Sequence, residues 1–250
     1  MQTRSRFLGS FVQLPCPEVV EILGSVGFDF VIVDNEHTEI DMATSVGLVR
    51  AAEAVDTSVL IRTADATETR IKKALDTGAS GILVPGITGV QMARDVVYYA
   101  KYAPQGLRGS CPGVRANFYG RDGLEYYQNA NRYTAVTIQI EGAGAVREFD
   151  EILEVEGLDA VLLGPVDLSM ALGVPGDVEH PKVIGAMIDM LERANRRGVK
   201  CATFAMDRAN AAAWFDRGMS FIAYHIDTML FRAAAQTAVD EMRDIVGQHA

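Results

Sequence analysis

The sequence predicts an α/β protein, a single-domain (β/α)8 barrel of the TIM type, and three observations carry that prediction. The chain has 250 residues, and a barrel of eight β/α units takes about 250. Short runs rich in Val, Ile and Leu alternate with helical patterns from end to end, the form of repeated βα units around a buried parallel sheet. No composition shift or Pro/Ser-rich linker divides residues 1–250, so one domain is expected to span them. An open doubly wound sheet is the competing arrangement, because alternation alone does not show closure.

Strands are expected at Leu8–Leu14, Asp29–Asp34, Val59–Arg62, Gly81–Pro85, Thr134–Glu141, Leu158–Gly164, Lys200–Phe204 and Phe221–Ile226. Helices are expected at Pro17–Val26, Asp41–Ala54, Thr67–Thr77, Val90–Tyr102, Gly142–Val155, Pro181–Arg197, Asp207–Arg217 and Thr228–Val246. Gly27, Gly78, Gly157, Gly198 and Gly218 follow helices where a left-handed stop residue is needed. Segment Ala103–Arg121 breaks the rhythm and reads as a long loop. It is either a solvated excursion or a place where Arg108 and Arg115 neutralise an acidic substrate or a neighbouring subunit.

Composition excludes several classes. With 49% hydrophobic and 22% charged residues the chain is an ordinary globular one. Its net charge of −10 argues against nucleic acid as a partner. No run of apolar residues is long enough to span a membrane. The N-terminal stretch is broken by Gly9, Ser10 and Gln13, unlike a secretory signal. Cys16, Cys111 and Cys201 are odd in number and widely spaced, as reduced thiols of a cytoplasmic protein are.

In parallel β/α folds the ligand meets the carboxyl ends of the strands. Strand two runs FDFVIV into Asp34, Asn35, Glu36 and His37, and strand three ends on Arg62. Strand five places Gln139 and Glu141 two apart, on one face, and strand six runs into Gly164, Pro165 and Asp167. Glu141 and Asp167 lie one βα unit apart, so adjacent strands can offer two oxygen ligands to Mg2+ or Mn2+, with Co2+ a further candidate. Taken singly, each equally reads as an acid at a helix N-terminus. Asp34 stands where it can orient His37 as a base, although the spacing alone favours an exposed turn. Arg62 closes an apolar strand and needs an anion, with Glu36 or Asp34 as structural partners. Among the other histidines, His225 alone falls near the expected pocket, and His249 lies in the tail.

Taken together, FDFVIVDNEH, the Arg62 strand, DTGASGILVPGI, PQGLRG, IQIE and LDAVLLGPVDLS resemble the HpcH/HpaI aldolase family over roughly Phe7 to Phe231. The resemblance implies a metal-dependent class II pyruvate aldolase, a lyase on a (β/α)8 barrel, assembled as a homohexamer built as a trimer of dimers. It implies reversible cleavage of a 4-hydroxy-2-oxo acid to pyruvate and an aldehyde through a metal-stabilised pyruvate enolate. On this likeness Glu141 and Asp167 are the metal ligands, Arg62 contacts the keto oxygen, and His37 with Asp34 transfers the proton. Gln139 lies in the site, and Gly164, Pro165, Val166 and Asp167 bind the substrate carboxylate, the last two through backbone N–H groups at a helix N-terminus.

Gly142-Ala143-Gly144, the Cys-Pro-Gly-Val-Arg stretch and Tyr224-His225 depart from the family pattern. No Schiff-base lysine is expected, because Lys72, Lys73, Lys101 and Lys182 fall on helices or their ends and Lys200 opens a strand at the wrong end. The alternatives are a citrate-lyase-like CoA-thioester lyase, a 2-oxo-acid decarboxylase or mutase, and a non-catalytic 2-oxo-acid-binding barrel.

Overall fold

A computed structural model describes residues 5–247; the two ends of the expected 1–250 domain, His249 among them, lie outside the described residues. Eight parallel strands close into a barrel in sequence order, each paired with its neighbours and β1 with β8. They are β1 Phe7–Val12, β2 Phe30–Asp34, β3 Ser58–Arg62, β4 Gly81–Val84, β5 Ala135–Ile140, β6 Ala160–Leu163, β7 Lys200–Ala205 and β8 Phe221–Ile226. Closure decides against the open sheet.

Around them run α1 Pro17–Ser25, α2 Met42–Ala54, α3 Glu68–Asp76, α4 Val90–Ala100, α5 Gly123–Tyr133, α6 Ala143–Arg147, α7 Phe149–Ile152, α8 Pro165–Ala171, α9 Pro181–Arg197, α10 Arg208–Asp216 and α11 Asp227–Gly247. The five stop glycines all take positive φ, from 74° at Gly198 to 105° at Gly27, which a side chain would strain. The expected helix Gly142–Val155 is instead two short ones, broken at Glu148, whose carboxylate leaves the helix to accept the Val90 N–H at 2.8 Å.

Strand pleating sorts the core into two layers. Val31, Val33, Ile61, Ile82, Val136, Ile138 and Val161 point outward and are buried under the helices. Phe11, Phe30, Ile32, Leu83, Leu162, Ala202 and Ala223 fill the barrel interior. With both faces covered, β2, β4 and β6 are buried at every residue, which is why they read as unbroken apolar runs.

Segment Ala103–Arg121 is not a solvated loop throughout. It ends in a short 3-10 turn, Arg115–Gly120, and runs into α5, which the sequence pattern did not reveal. Its arginines serve the barrel wall: Arg108 reaches Asp76 at 2.9 Å, and Arg115 pairs with Glu53 and donates to the Thr77 carbonyl at 2.7 Å. Neither lines the cavity described below.

Helix α11 differs from the rest. Its first turn meets β1 and β8, and residues 231–243 are all exposed, Phe231, Val239 and Met242 among them. No helix among the described residues is long and apolar enough to cross a membrane.

Candidate active site

On several strands the inward positions continue past the apolar filling to a polar upper layer. On β2 the inward residues are Phe30, Ile32 and Asp34; on β3 they are Leu60 and Arg62; on β5 they end with Thr137, Gln139 and, just past the strand, Glu141. Asp34 and Arg62 are also register partners in the β2/β3 ladder, so their side chains meet. Arg62 Nε and Nη2 donate to the two Asp34 oxygens at 3.0 and 2.7 Å, while Nη1 stands 3.1 Å from Glu36. The guanidinium lies over the Phe11 ring, 4.8 Å from its centroid.

Asp34 is fully buried and saturated. Besides Arg62 it accepts from the Gln13 amide at 3.0 Å and from the backbone N–H groups of Glu36 and His37 at 3.1 and 3.2 Å. Burial alone raises its pKa; the Arg62, Gln13 and His37 hydrogen bonds outweigh that and hold it below the ordinary value. The expected Asp34–His37 pair therefore takes a different form. Asp34 fixes His37 through the main chain, and the carboxylate beside the imidazole is that of Glu36, 3.6 Å from Nε2. The residue immediately before the histidine in DNEH was the signal for it.

Across the mouth, Glu141 accepts the Gly86 N–H at 2.7 Å and the Gln139 amide, leaving the Gln139 Oε1 buried without a partner. Asp167 sits exposed in the first turn of α8, whose N-cap is Gly164 and whose first helical bond runs from the Leu168 N–H to the Gly164 carbonyl at 3.0 Å. The Val166 and Asp167 N–H groups precede that bond and have no backbone partner among the described residues.

These carboxylates feel one another. Burial first, then the charges of Asp34 and Asp167, raise Glu36 against the pull of Arg62 and His37. Burial likewise raises Glu141, with Asp167 and Glu36 adding to it. A cavity of about 200 Å3 opens beside them: Arg62, Gln139, His37, Asp167, Gln13 and Gly164–Val166 line it, with Phe11, Leu162, Phe204 and Ile226 as apolar walls.

His225 is not among the lining residues. The β1/β8 register slips by one between Gly9 and Phe11, so Ile226 takes the inward slot. His225, at φ 61°, turns its ring against Tyr224, with centroids 4.5 Å apart. A larger cavity, about 580 Å3, opens at the other end of the barrel, but its walls are mostly apolar and no set of charged groups converges on it as at the smaller one. Lys200 is there, and the buried Lys101 gives its ammonium to the Asn131 and Thr134 carbonyls at 2.9 and 2.7 Å.

The sequence matches the HpcH/HpaI aldolase/citrate lyase family over residues 8–234. The chain belongs to that family. It is 30% identical to the 5-keto-4-deoxy-D-glucarate aldolase of Enterobacter sp., over 94% of this chain and 92% of that protein. It is equally 30% identical to the hydroxypyruvate/pyruvate aldolase of Sagittula stellata, with the same coverage. Its structure superimposes on that of an HpcH/HpaI aldolase/citrate lyase family protein from Burkholderia cenocepacia with a TM-score of 0.92 and 30% identity, covering 97% and 96% of the two chains. Like its HpcH/HpaI relatives, the chain is a carbon–carbon lyase of the aldolase type.

The donor chemistry of the site fits the divalent ion implied for this family. Among the described residues no three His, Cys, Asp or Glu side chains converge to cage a metal. Mg2+ and Mn2+ do not need such a cage: one or two carboxylates suffice, with water and substrate oxygens completing the shell. The charge of Asp167 raises Glu141, and no lysine lines the cleft beside them, a like-charge pair that a cation relieves. Gly164 keeps that face open, since a Cβ there would stand 3.2 Å from the Gln139 amide nitrogen and from a Glu141 oxygen.

Proposed function

We propose that the chain is a divalent-metal-dependent pyruvate aldolase that reversibly cleaves a 4-hydroxy-2-oxo acid into pyruvate and an aldehyde. The observation that carries this reading is one cavity that brings together Asp167, the Gln139 side chain and the buried Arg62 guanidinium, with the Glu141 carboxylate on the Gln139 amide and raised by the charge of Asp167. Such a site binds a cation on one side and an anionic 2-oxo acid between the two charges.

In this reading Glu141 and Asp167 hold Mg2+, Mn2+ or Co2+. When bound, the ion supplies Lewis-acid stabilisation for the charge that breaking the C3–C4 bond puts on the 2-oxo oxygen. Arg62, fixed by Asp34, presents its guanidinium to the same oxygen and needs no reorganisation as charge develops. Gln139 stands beside it, and the free N–H groups of Val166 and Asp167, beyond Gly164 and Pro165, take the substrate carboxylate. His37 removes the 4-hydroxyl proton in cleavage and returns it in synthesis, with Glu36 against its ring and Asp34 on its backbone.

The exposed α11 supports a homo-oligomer, a hexamer arranged as a trimer of dimers, because an isolated amphipathic helix gains its stability from packing. Three free cysteines suit a cytoplasmic enzyme.

The test is metal removal. EDTA-treated enzyme is expected to lose retro-aldol turnover and the exchange of pyruvate C3 protons with deuterium, and to regain both with Mn2+. Full rates in strictly metal-free enzyme reject the reading.

A further inference from the structure

In a closed eight-stranded barrel β1 lies across from β5. Glu141 and Gln139 belong to the β5 side and Asp167 to the β6 side, with Arg62 on β3 between them and the opposite wall. What remains of the cavity for a second substrate is lined from β1, β7 and β8 by Phe11, Gln13, Phe204 and Ile226. Gln13 is the polar group of that wall. Its backbone N–H is clamped by both oxygens of the buried Asp227, at 3.0 and 3.1 Å, and Asp227 also takes the Leu14 N–H at 2.9 Å. Its side-chain amide gives one hydrogen to Asp34, and its Oε1 and second N–H have no partner among the described residues.

No lysine or arginine lines this wall, and the one guanidinium of the cavity is committed to Asp34 and Glu36. A carboxylate on the aldehyde would therefore be buried without a counter-charge, facing Asp167. A hydroxyl next to the aldehyde carbon meets a fixed donor and acceptor instead. The cavity, at about 200 Å3, is also smaller than the roughly 300–1,000 Å3 of most ligand sites, which limits the partner to a few carbons.

We propose that Gln13 determines the carbonyl partner and that the subsite it forms with Phe11, Phe204 and Ile226 takes a short, uncharged 2-hydroxyaldehyde. The proposal rests on the pyruvate-aldolase reading above.

Three aldehydes with one two-carbon skeleton test it: glycolaldehyde, acetaldehyde and glyoxylate, each with saturating pyruvate and Mn2+. The expected order of kcat/KM is glycolaldehyde, acetaldehyde, glyoxylate. In Gln13→Met the glycolaldehyde-to-acetaldehyde ratio is expected to fall roughly five- to tenfold, the worth of a hydrogen bond. Preference for glyoxylate, or a ratio that Gln13→Met leaves in place, overturns the proposal. Should that variant fail to fold, the wild-type order decides alone. Deuterium exchange at pyruvate C3, measured without aldehyde, separates the two levels: absent exchange defeats the pyruvate reading, whereas exchange with the wrong aldehyde order defeats only the subsite.

Discussion

At the mouth where the strands begin, Phe7 and Phe221 stack at 5.1 Å and Phe30 meets Phe221 edge-on at 6.0 Å, beside an apolar cavity. At the mouth where the strands end, the same inward rows hold Asp34, Arg62, Gln139 and Glu141. On β2 two steps of the pleat, Phe30 to Ile32 to Asp34, carry the chain from one regime to the other. The difference lies in what each end can supply. Beyond the strand ends stand free helix N–H groups and turns that satisfy buried carboxylates, as Glu36 N–H and Gly86 N–H do. The lower mouth has aromatic packing around a mostly apolar cavity. Function and stability are thus separable along one strand.

Glu141→Gln is the substitution expected to break this separation most visibly. Retro-aldol turnover should fall by about a thousandfold, the scale of a lost electrostatic contact at the reacting centre. Mn2+ titration followed by EPR should lose its site, with the urea midpoint near wild type. Undiminished Mn2+ affinity would remove Glu141 from the ligand set.

Arg62→Met tests whether the upper mouth is also structural. It leaves Asp34 buried with its charge unmatched, and breaking such a pair costs about 3–5 kcal/mol. The pairing of Arg62→Met with Asp34→Leu should recover part of that loss in urea unfolding, since no charge is then stranded. A single variant as stable as wild type contradicts the buried pair.

The frame was legible because its signals are redundant. Eight apolar runs, periodic helices and five stop glycines agree with one another, and strand ends fell within a few residues of expectation. The inward placement of Gln139 and Glu141 followed from their spacing of two. What sequence did not disclose depends on three-dimensional competition. Nothing local says that Arg62 captures both Asp34 oxygens, so that Glu36, which it also touches, is the carboxylate beside the His37 ring, because ladder register decides it. Nor does spacing reveal the bulge that exchanges His225 for Ile226 in the cavity, or the carboxylate of Glu148 that interrupts a helix to hold α4. In the sequence Gln13 reads only as a break in an apolar stretch, with nothing local to place it in the cavity.

The lower mouth gives a smaller pair of effects. Phe221→Ala removes both aromatic contacts of a half-buried ring and should cost about 2–3 kcal/mol, with the KM for pyruvate unmoved. Lys200→Met on the same rim, an exposed position, should stay within about 0.5 kcal/mol. A changed pyruvate KM in either variant would show that the two mouths are coupled.

The smallest effect is in pH, and its sign follows from the carboxylates. Glu36 and Glu141 are raised above their ordinary value of 4.5, by burial first and then by neighbouring negative charge, Asp34 and Asp167 on Glu36 and Asp167 and Glu36 on Glu141. Between 4.5 and those raised values the folded chain holds protons that the unfolded chain has released, so this contribution to stability declines as pH climbs through the window. Asp34 runs the other way: its depressed pKa stabilises the fold above 3.8, and that contribution is lost only as pH falls through the lower folded value. A cation competes with the protons on Glu36 and Glu141 and relieves the repulsion they leave behind. The rise in Tm on adding Mn2+ should therefore be slight at the acid end of the window and grow with pH, whereas a rise of constant size across it would mean that the ion binds away from these carboxylates.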